Sequence, residues 1–286
     1  MKWLRNYEIR IKNPDGKLFT IAPPISVTFD VDRSVMSSTN TAKVTIYNLA
    51  QGTRNGLYKD KYSFTKYWQM FIMAGYGKNE LYEIFRGNIQ EAFSYKKPPE
   101  WITEISAYDG AFAIQNSFTN ETMTKETSIK DMITRTIHSM PELLSGVLGK
   151  GASEETNARG QVLTGSSYDI IQQLSGGQAY IDGETINILA PDEVMTGKAF
   201  VISGGDNGIM LETPRRREQF LEVNCLFSPE IRVGHICEIQ SAESKYNGQY
   251  KVYGIKHSGT FSQAQCGDAT TMVSLYRGSA PLEEVG

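Results

Sequence analysis

Two-residue alternation rules both ends of this chain, and it leaves little choice of fold. Residues 25–31, 42–49, 68–77, 81–95 and 101–110 either alternate apolar with polar side chains or run apolar throughout, and they are rich in Val, Ile, Thr, Tyr and Phe. Such runs suit a pleated surface buried on one face. The segments between them carry the Gly, Pro, Asn and Ser that turns require, as in "SSTNT" and "KKPPE". Five strands at short spacing predict a small antiparallel barrel or sandwich, with Gly87 at a bulge. Residues 219–227, 235–242, 249–257 and 270–278 repeat the pattern near the C-terminus.

The middle changes period. Ile129, Met132, Ile133 and Ile137 recur at helical spacing behind Thr127 or Ser128 as N-cap. A second helix runs from Ser166 or Ser167 to a stop at Gly176-Gly177. Between them, residues 149–160 are almost devoid of apolar side chains and read as a mobile loop. After the second helix, "QAYIDGETINIL" predicts a hairpin turning at Asp182-Gly183. This gives a mainly β fold with an α+β insertion.

The two β-rich ends share residues at one constant offset: Thr103 and Thr271, Ser106 and Ser274, Tyr108 and Tyr276, Gly110 and Gly278. A duplication would place two similar barrels on either side of the insertion; two unrelated meanders with similar turns would look much the same. The length of 286 residues accommodates about two domains.

Composition narrows the function. A net charge of −3 argues against a dedicated nucleic-acid binder, whose affinity rests on neutralising phosphates. Arg5, Glu8, Arg10 and Lys12 interrupt any signal-peptide core, and no run approaches the ~18 apolar residues that span a bilayer. Cys225, Cys237 and Cys266 are too few for a disulfide framework; Cys225 and Cys237 could face each other across a hairpin as buried reduced thiols. His138, His235 and His257 have no second ligand at metal-binding spacing, and the strand histidines His235 and His257 read as surface or half-buried. No nucleophile elbow or phosphate loop is present, and "GGDNG" (residues 204–208) reads as a turn. Glu100, Glu104 and Asp109 are not brought to one cleft by any sequence signal, so no catalytic residue, metal or cofactor is assigned.

Three consecutive arginines stand apart: Arg215, Arg216 and Arg217, bracketed by Glu212 and Glu218. The acidic neighbours weaken a polyanion reading and leave a solvated connector or a protein interface.

The ordered motifs around that triplet resemble a known family. Gly208, Ile209, Met210 and Pro214 are followed by Val223, Cys225, Leu226, Pro229, Ile231, Gly234, Ile236 and Ile239, and then by Asn247, Gly248, Tyr250, Val252, Ile255, His257 and Gly259. This order is similar to that of phage tail baseplate hub proteins, and "AKVTIYNL", "AGYG" and "IFRGNI" fit the same pattern. The resemblance implies two tail-tube-like antiparallel β-barrel domains, residues 1–115 and 201–286, flanking a helix-plus-hairpin module at 116–200. It implies a homotrimeric ring in the virion tail, assembled in the host cytoplasm, that matches a sixfold tail tube to a threefold spike. The spike, the tail tube or its initiator and the tape measure are the implied partners, with wedge proteins as further candidates. DNA would only pass through the lumen, and no membrane insertion is implied. A hexameric tube or distal tail protein is the alternative, ahead of a tail-associated cell-wall hydrolase. The arginine triplet is not part of the family pattern; at the joint before the second barrel it is expected to form salt bridges between subunits or with the spike.

Overall fold

A computed structural model describes the chain except residues 1–4, 37–38, 64–65, 78–79, 157–158, 207, 263–266 and 279–280, so Cys266 lies outside the described residues. The first β region comprises β1 (Arg5–Lys12), β2 (Leu18–Ile21), β3 (Val27–Ser34), β4 (Thr41–Tyr47), β5 (Gln69–Tyr76), β6 (Glu80–Lys97) and β7 (Glu100–Tyr108), with the short helix α1 (Gln51–Gly56) between β4 and β5. The middle holds α2 (Ala111–Asn116), β8 (Phe118–Met123), α3 (Ile129–Ser139), β9 (Leu144–Leu148), β10 (Gln161–Ser166), α4 (Ser167–Leu174), β11 (Ala179–Ile181), β12 (Thr185–Ile188) and β13 (Glu193–Met195). The last region contains β14 (Phe200–Ser203), β15 (Arg215–Arg217), β16 (Phe220–Leu226), β17 (Ile236–Gln240), β18 (Gly248–Phe261), β19 (Ala269–Tyr276) and β20 (Glu283–Val285).

The two ends join in one 13-stranded sheet whose main path is β15-β16-β19-β18-β3-β4-β7-β6-β5-β1-β2. Within it, β3-β4-β7-β6-β5 and β15-β16-β19-β18-β17 have the same neighbours in the same antiparallel sense. The registers agree as well. Ser106 lies opposite Glu91 and Ser274 opposite Gly254, each one residue past an irregularity, at Gln90 and at Tyr253. Thr103 and Thr271 are both buried, and both hydrogen-bond across the ladder, Thr103 with Ser94 at 2.8 Å and Thr271 with His257 at 2.9 Å. A shared threonine thus marks a shared polar contact inside each sheet.

Gly87 is not itself bulged. The extra residues of β6 are Ile84 against β5 and Gln90 against β7. Gly87 instead admits close backbone approach, since a Cβ there would sit 2.7 Å from the Tyr108 carbonyl oxygen.

Strand β18 holds the two ends together. Its residues 248–251 pair with β17, and residues 254–261 pair with β3. Alternation along β3, β4, β16 and β19 buries one side chain in two, and the buried set forms two apolar clusters. The first cluster draws on β1 to β7 and takes Phe227, Phe261 and Ala269 from the other end; the second draws on β16 to β19 and takes Tyr180 and Leu189 from the middle.

In the middle, Ser128 caps α3 by accepting the Asp131 N–H at 3.0 Å. The expected loop at 149–160 is fastened over part of its length: Ile129 and Lys130 donate to the carbonyls of Glu155 and Ser153, and the buried Glu193 carboxylate accepts the Lys150 N–H. Backbone hydrogen bonds hold it together with Ala152, which is buried in the apolar cluster of the middle module. The hairpin turns one residue later than expected. Asp182 N–H donates to Thr185, and Gly183 and Glu184 carry the positive φ angles of 61° and 59°. Among the described residues, no helix is long and apolar enough to cross a membrane.

Candidate assembly surface

The unburied face of the shared sheet is polar along β3, β4, β7 and β18. Asp30 and Asp32 on β3, Lys43 and Thr45 on β4, Glu104 and Ser106 on β7, and Lys256 and Ser258 on β18 alternate with core residues and so point to one side. Both charge signs mix there: Lys256 Nζ lies 3.3 Å from Asp30 Oδ2. Burial raises the Asp32 carboxyl above its ordinary range, Lys256 opposes that rise and Asp30 adds to it. A wall of hydroxyls and interspersed opposite charges hydrates well and holds no single polyanion firmly.

Beneath this face, three parts of the chain meet in a buried polar joint. Arg33 on β3 grips Asp182 with two hydrogen bonds, of 2.8 and 2.6 Å, and donates a third at 3.3 Å to the Ile84 carbonyl. Asn40 donates to the Ile181 carbonyl at 2.9 Å. Asp109, at the end of β7, accepts the Gly183 and Glu184 N–H groups at 2.7 and 2.8 Å, which explains the shifted turn. Glu184 then reaches into the first β region and accepts from Tyr67, Gln69 and Asn88. Burial, with Asp182 adding, pushes the Asp109 carboxyl up to about 7, while the two backbone donors pull it down. Of this joint the sequence showed only the hairpin expected at Asp182-Gly183. A second fastening lies at β18, where buried Lys251 donates to the Ala190 carbonyl at 2.7 Å.

The arginine triplet is itself a strand. β15 pairs with β16 so that Arg215 lies opposite Glu222, Arg216 opposite Leu221 and Arg217 opposite Phe220, and it forms the outer edge of the sheet. All three side chains are exposed. Arg215 pairs with Glu212 and Arg217 with Glu222 at 2.8 Å, rather than with the sequence neighbour Glu218, which occupies the turn with φ 50°. Among the described residues, Arg216 has no ion-pair partner.

The other motif positions serve packing and turns. Gly208 closes a turn by donating to Gly205, and no helix follows that could make "GGDNG" a phosphate site. Pro214 is buried just before β15, and Pro229 is buried in the turn after β16. Cys225 and Cys237 are both buried, and the Cys225 thiol donates to the Thr271 carbonyl at 3.3 Å. They are not opposed across a hairpin, because β16 and β17 are not ladder neighbours. Burial pushes the Cys237 thiol far up, which makes it a poor nucleophile. Gly234, with φ 78°, lets the second β region close on the middle: a Cβ there would lie 2.7 Å from the Tyr180 hydroxyl. Asn247 accepts the Ser241 N–H at 2.6 Å, and Gly248 opens β18. Gly259 faces Ala269 at a distance that no side chain would tolerate. His257 is fully buried rather than half-exposed, because its neighbour β3 comes from the other end of the chain. Burial pushes its imidazole down to about 3, and the nearby Arg33 adds to this.

Among the described residues, no group of three His, Cys, Asp or Glu side chains is placed to hold a metal ion. Glu100 and Glu104 lie on β7, away from the buried Asp109.

The comparisons agree with this architecture. The family described as Baseplate hub gp41 matches residues 8–261. A tail protein from Neisseria meningitidis MC58 has a similar structure, with a TM-score of 0.63 at 9% identity over 95% of this chain and 96% of that one. The 43 kDa tail protein of prophage MuSo2 from Shewanella oneidensis gives a TM-score of 0.61 at 8% identity, over 94% of this chain and 98% of that one. The E. coli c3393 protein, described as a type VI secretion component with structural similarity to the T4 bacteriophage tail proteins gp27 and gp5, gives 0.57 at 10% identity, over 90% and 74%. At such identities the likeness concerns the fold alone. No curated protein matches the chain in sequence.

Proposed function

The chain belongs to the baseplate hub gp41 family, and from that premise we propose that it is a structural, non-enzymatic hub whose homotrimer adapts a sixfold tail tube to a threefold spike. The observation that carries this is the tandem repeat of strand order and register, β3-β4-β7-β6-β5 against β15-β16-β19-β18-β17. Three copies of such a chain offer six similar β units to a tube above and only three copies of the middle module to a partner below. A tube subunit needs one such unit, so the second copy favours the hub over a hexameric tube or distal tail protein.

In this reading residues 1–115 and 201–286 are the two tube-like units and 116–200 the module between them. The mixed-charge sheet face lines the channel through which DNA passes. The spike, the tube or its initiator, the tape measure and peripheral wedge proteins are the partners, and assembly takes place in the host cytoplasm.

Mass photometry of the full chain, alone and with its spike, tests the assembly. The expected species contains three copies, at least in the presence of the spike. Single chains under both conditions overturn the reading, and a six-copy ring replaces it with the tube alternative.

A further inference from the structure

The sheet closes one joint within the chain and leaves the equivalent joint open. Inside the chain, residues 254–261 of β18 accept β3 as a neighbour, with Lys256 opposite Asp32, His257 opposite Val31 and Ser258 opposite Asp30. The matching half of β6 is residues 91–97, since Glu91 and Gly254 face the equivalent serines. On its outer edge β5 ends at the Gln69–Asn88 pair, and among the described residues the one bridge further along joins Lys59 to Ala92. Ala92 spends its N–H and C=O on Lys59, so by alternation Ser94 and Lys96 turn theirs to the same edge.

The strand equivalent to β3 is β15. Asp32 pairs with Thr41 on β4 as Arg217 pairs with Phe220 on β16, and Thr41 and Phe220 lie opposite the equivalent Tyr108 and Tyr276. Arg217, Arg216 and Arg215 therefore stand where Asp32, Val31 and Asp30 stand. Arg215 and Arg217 face β16, so Arg216 turns its peptide N–H and C=O outward. Two half-open edges are left, and each fits the place the other lacks.

We propose that β15 of one chain adds antiparallel to residues 93–97 of a second copy, with Arg217 opposite Phe93, Arg216 opposite Ser94 and Arg215 opposite Tyr95. The proposal rests on the ring reading above and names the joint that closes it. Length and charge both fit. β15 turns at Glu218, in the register position of Arg33, where Lys59 already fills the partner edge. Arg215 and Arg217 would come beside Phe93 and Tyr95, whose rings stack at 6.1 Å, and beside Glu104, which accepts the Tyr95 hydroxyl at 2.8 Å. Aromatic faces and a carboxylate are what guanidinium groups recognise. Arg216 would lay its stem on the core-side face with its head at the rim. Lys96 and Lys97 would fall opposite the uncharged Pro214 and Thr213. The sheet would then run on from chain to chain, and an exposed edge that otherwise invites aggregation would be spent on assembly.

The test is a disulfide across a non-hydrogen-bonded pair, where Cα atoms lie about 4.5 Å apart. The full-length double variant Tyr95→Cys with Arg215→Cys is oxidised alone and with the spike, beside wild type and the register-shifted Tyr95→Cys with Arg217→Cys. A 95–215 bond between chains, with the ladder closing at three copies and little bond in the shifted pair, is the expected result. A three-copy ring without that bond, or with equal bonding in the shifted pair, overturns the joint and leaves the ring standing. Single chains throughout overturn both.

Arg216→Pro adds a second readout. It removes an N–H that makes no bond to β16, so the monomer should fold while assembly weakens by about tenfold per joint. Arg216→Ala should assemble nearly as wild type. Equal loss in both variants would overturn a backbone-mediated joint.

Discussion

The first and second repeats share a strand order but treat their closing strand in opposite ways. In the first, β3 is eight residues long, is paired on both edges and carries buried Arg33. In the second, β15 is three residues long, is paired on one edge and carries exposed arginines where β3 has Asp30, Val31 and Asp32. The same contrast recurs along the ladder. The residue opposite the shared threonine is partly exposed Ser94 in one repeat and fully buried His257 in the other. Past the shared tyrosine stands buried Asp109 in one repeat and, in the other, Arg277, which lies 5.9 Å from the Tyr250 ring. One backbone plan thus serves two purposes. Where polar groups are buried, as at Arg33 and Asp109, the repeat is locked to the rest of the chain; where they are exposed, as at β15, the edge stays available.

The sharpest way to break the contrast is at Arg33. Its pair with Asp182 is sheltered on both sides, with side-chain exposures of 9% and 17%. Arg33→Met would leave Asp182 without its cation and Asp109 beside an uncompensated charge. The expected loss is about 3–5 kcal/mol, read from the urea unfolding midpoint. A loss below 1 kcal/mol would mean that the joint is not the lock.

A smaller but more diagnostic effect is expected at His257. Its imidazole is held at about 3 in the folded chain, against an ordinary value near 6.5. As pH falls below 6.5 the unfolded chain takes up a proton that the folded chain refuses, so the stability contribution is present above that value and is lost toward pH 3. The slope approaches about 1.4 kcal/mol per pH unit. Asp109 works in the opposite sense. With its folded value raised to about 7, it costs stability at neutral pH and returns it as pH falls toward 4. His257→Ser, which copies the first repeat, should cost about 2–4 kcal/mol at pH 7.5 through the space it empties. It should also abolish the acid-destabilising slope and leave the Asp109 slope bare. Urea titrations from pH 4.5 to 7.5 read both effects, and an unchanged slope would show that His257 is not the group responsible.

These contrasts also explain what the sequence revealed. The strands at 25–31, 42–49, 81–95 and 101–110 were legible because one face of each is buried, so alternation is written into every second residue. The repeat was legible at Thr103 and Thr271 because both are buried and hydrogen-bond across the ladder. β8 with β10, and β13 with β20, were not, because strands this short or this polar gain their definition from a distant partner. β1 alternates in "YEIRIK", but the charges that break a signal-peptide core there also mask the strand. The arginine triplet reads in the sequence as a connector or a protein interface, because three consecutive charges hide a strand paired with β16. Nor does anything local place Asp109 beside Asp182 and Glu184, since that joint exists only once the middle has folded onto the first repeat.

The smallest expected effect lies at Glu218, the counterpart of Arg33. Glu218 holds φ 50°, a left-handed conformation that costs a residue with a Cβ about 1–2 kcal/mol and costs glycine nothing. Glycine also loses more chain entropy on folding, which offsets part of that gain. Glu218→Gly should therefore raise stability by about 0.5–1 kcal/mol, read as a modest rise in the urea midpoint with an unchanged slope. The same substitution removes a negative charge beside Arg217, whose own partner is Glu222, so assembly should be no weaker than wild type. Opposite signs at two matched positions, a large loss at Arg33 and a small gain at Glu218, would mark the first as a lock and the second as a turn that only has to end β15 in time. A loss at Glu218 comparable to that at Arg33 would mean that the hairpin end, and not only the buried joint, carries the stability of the sheet.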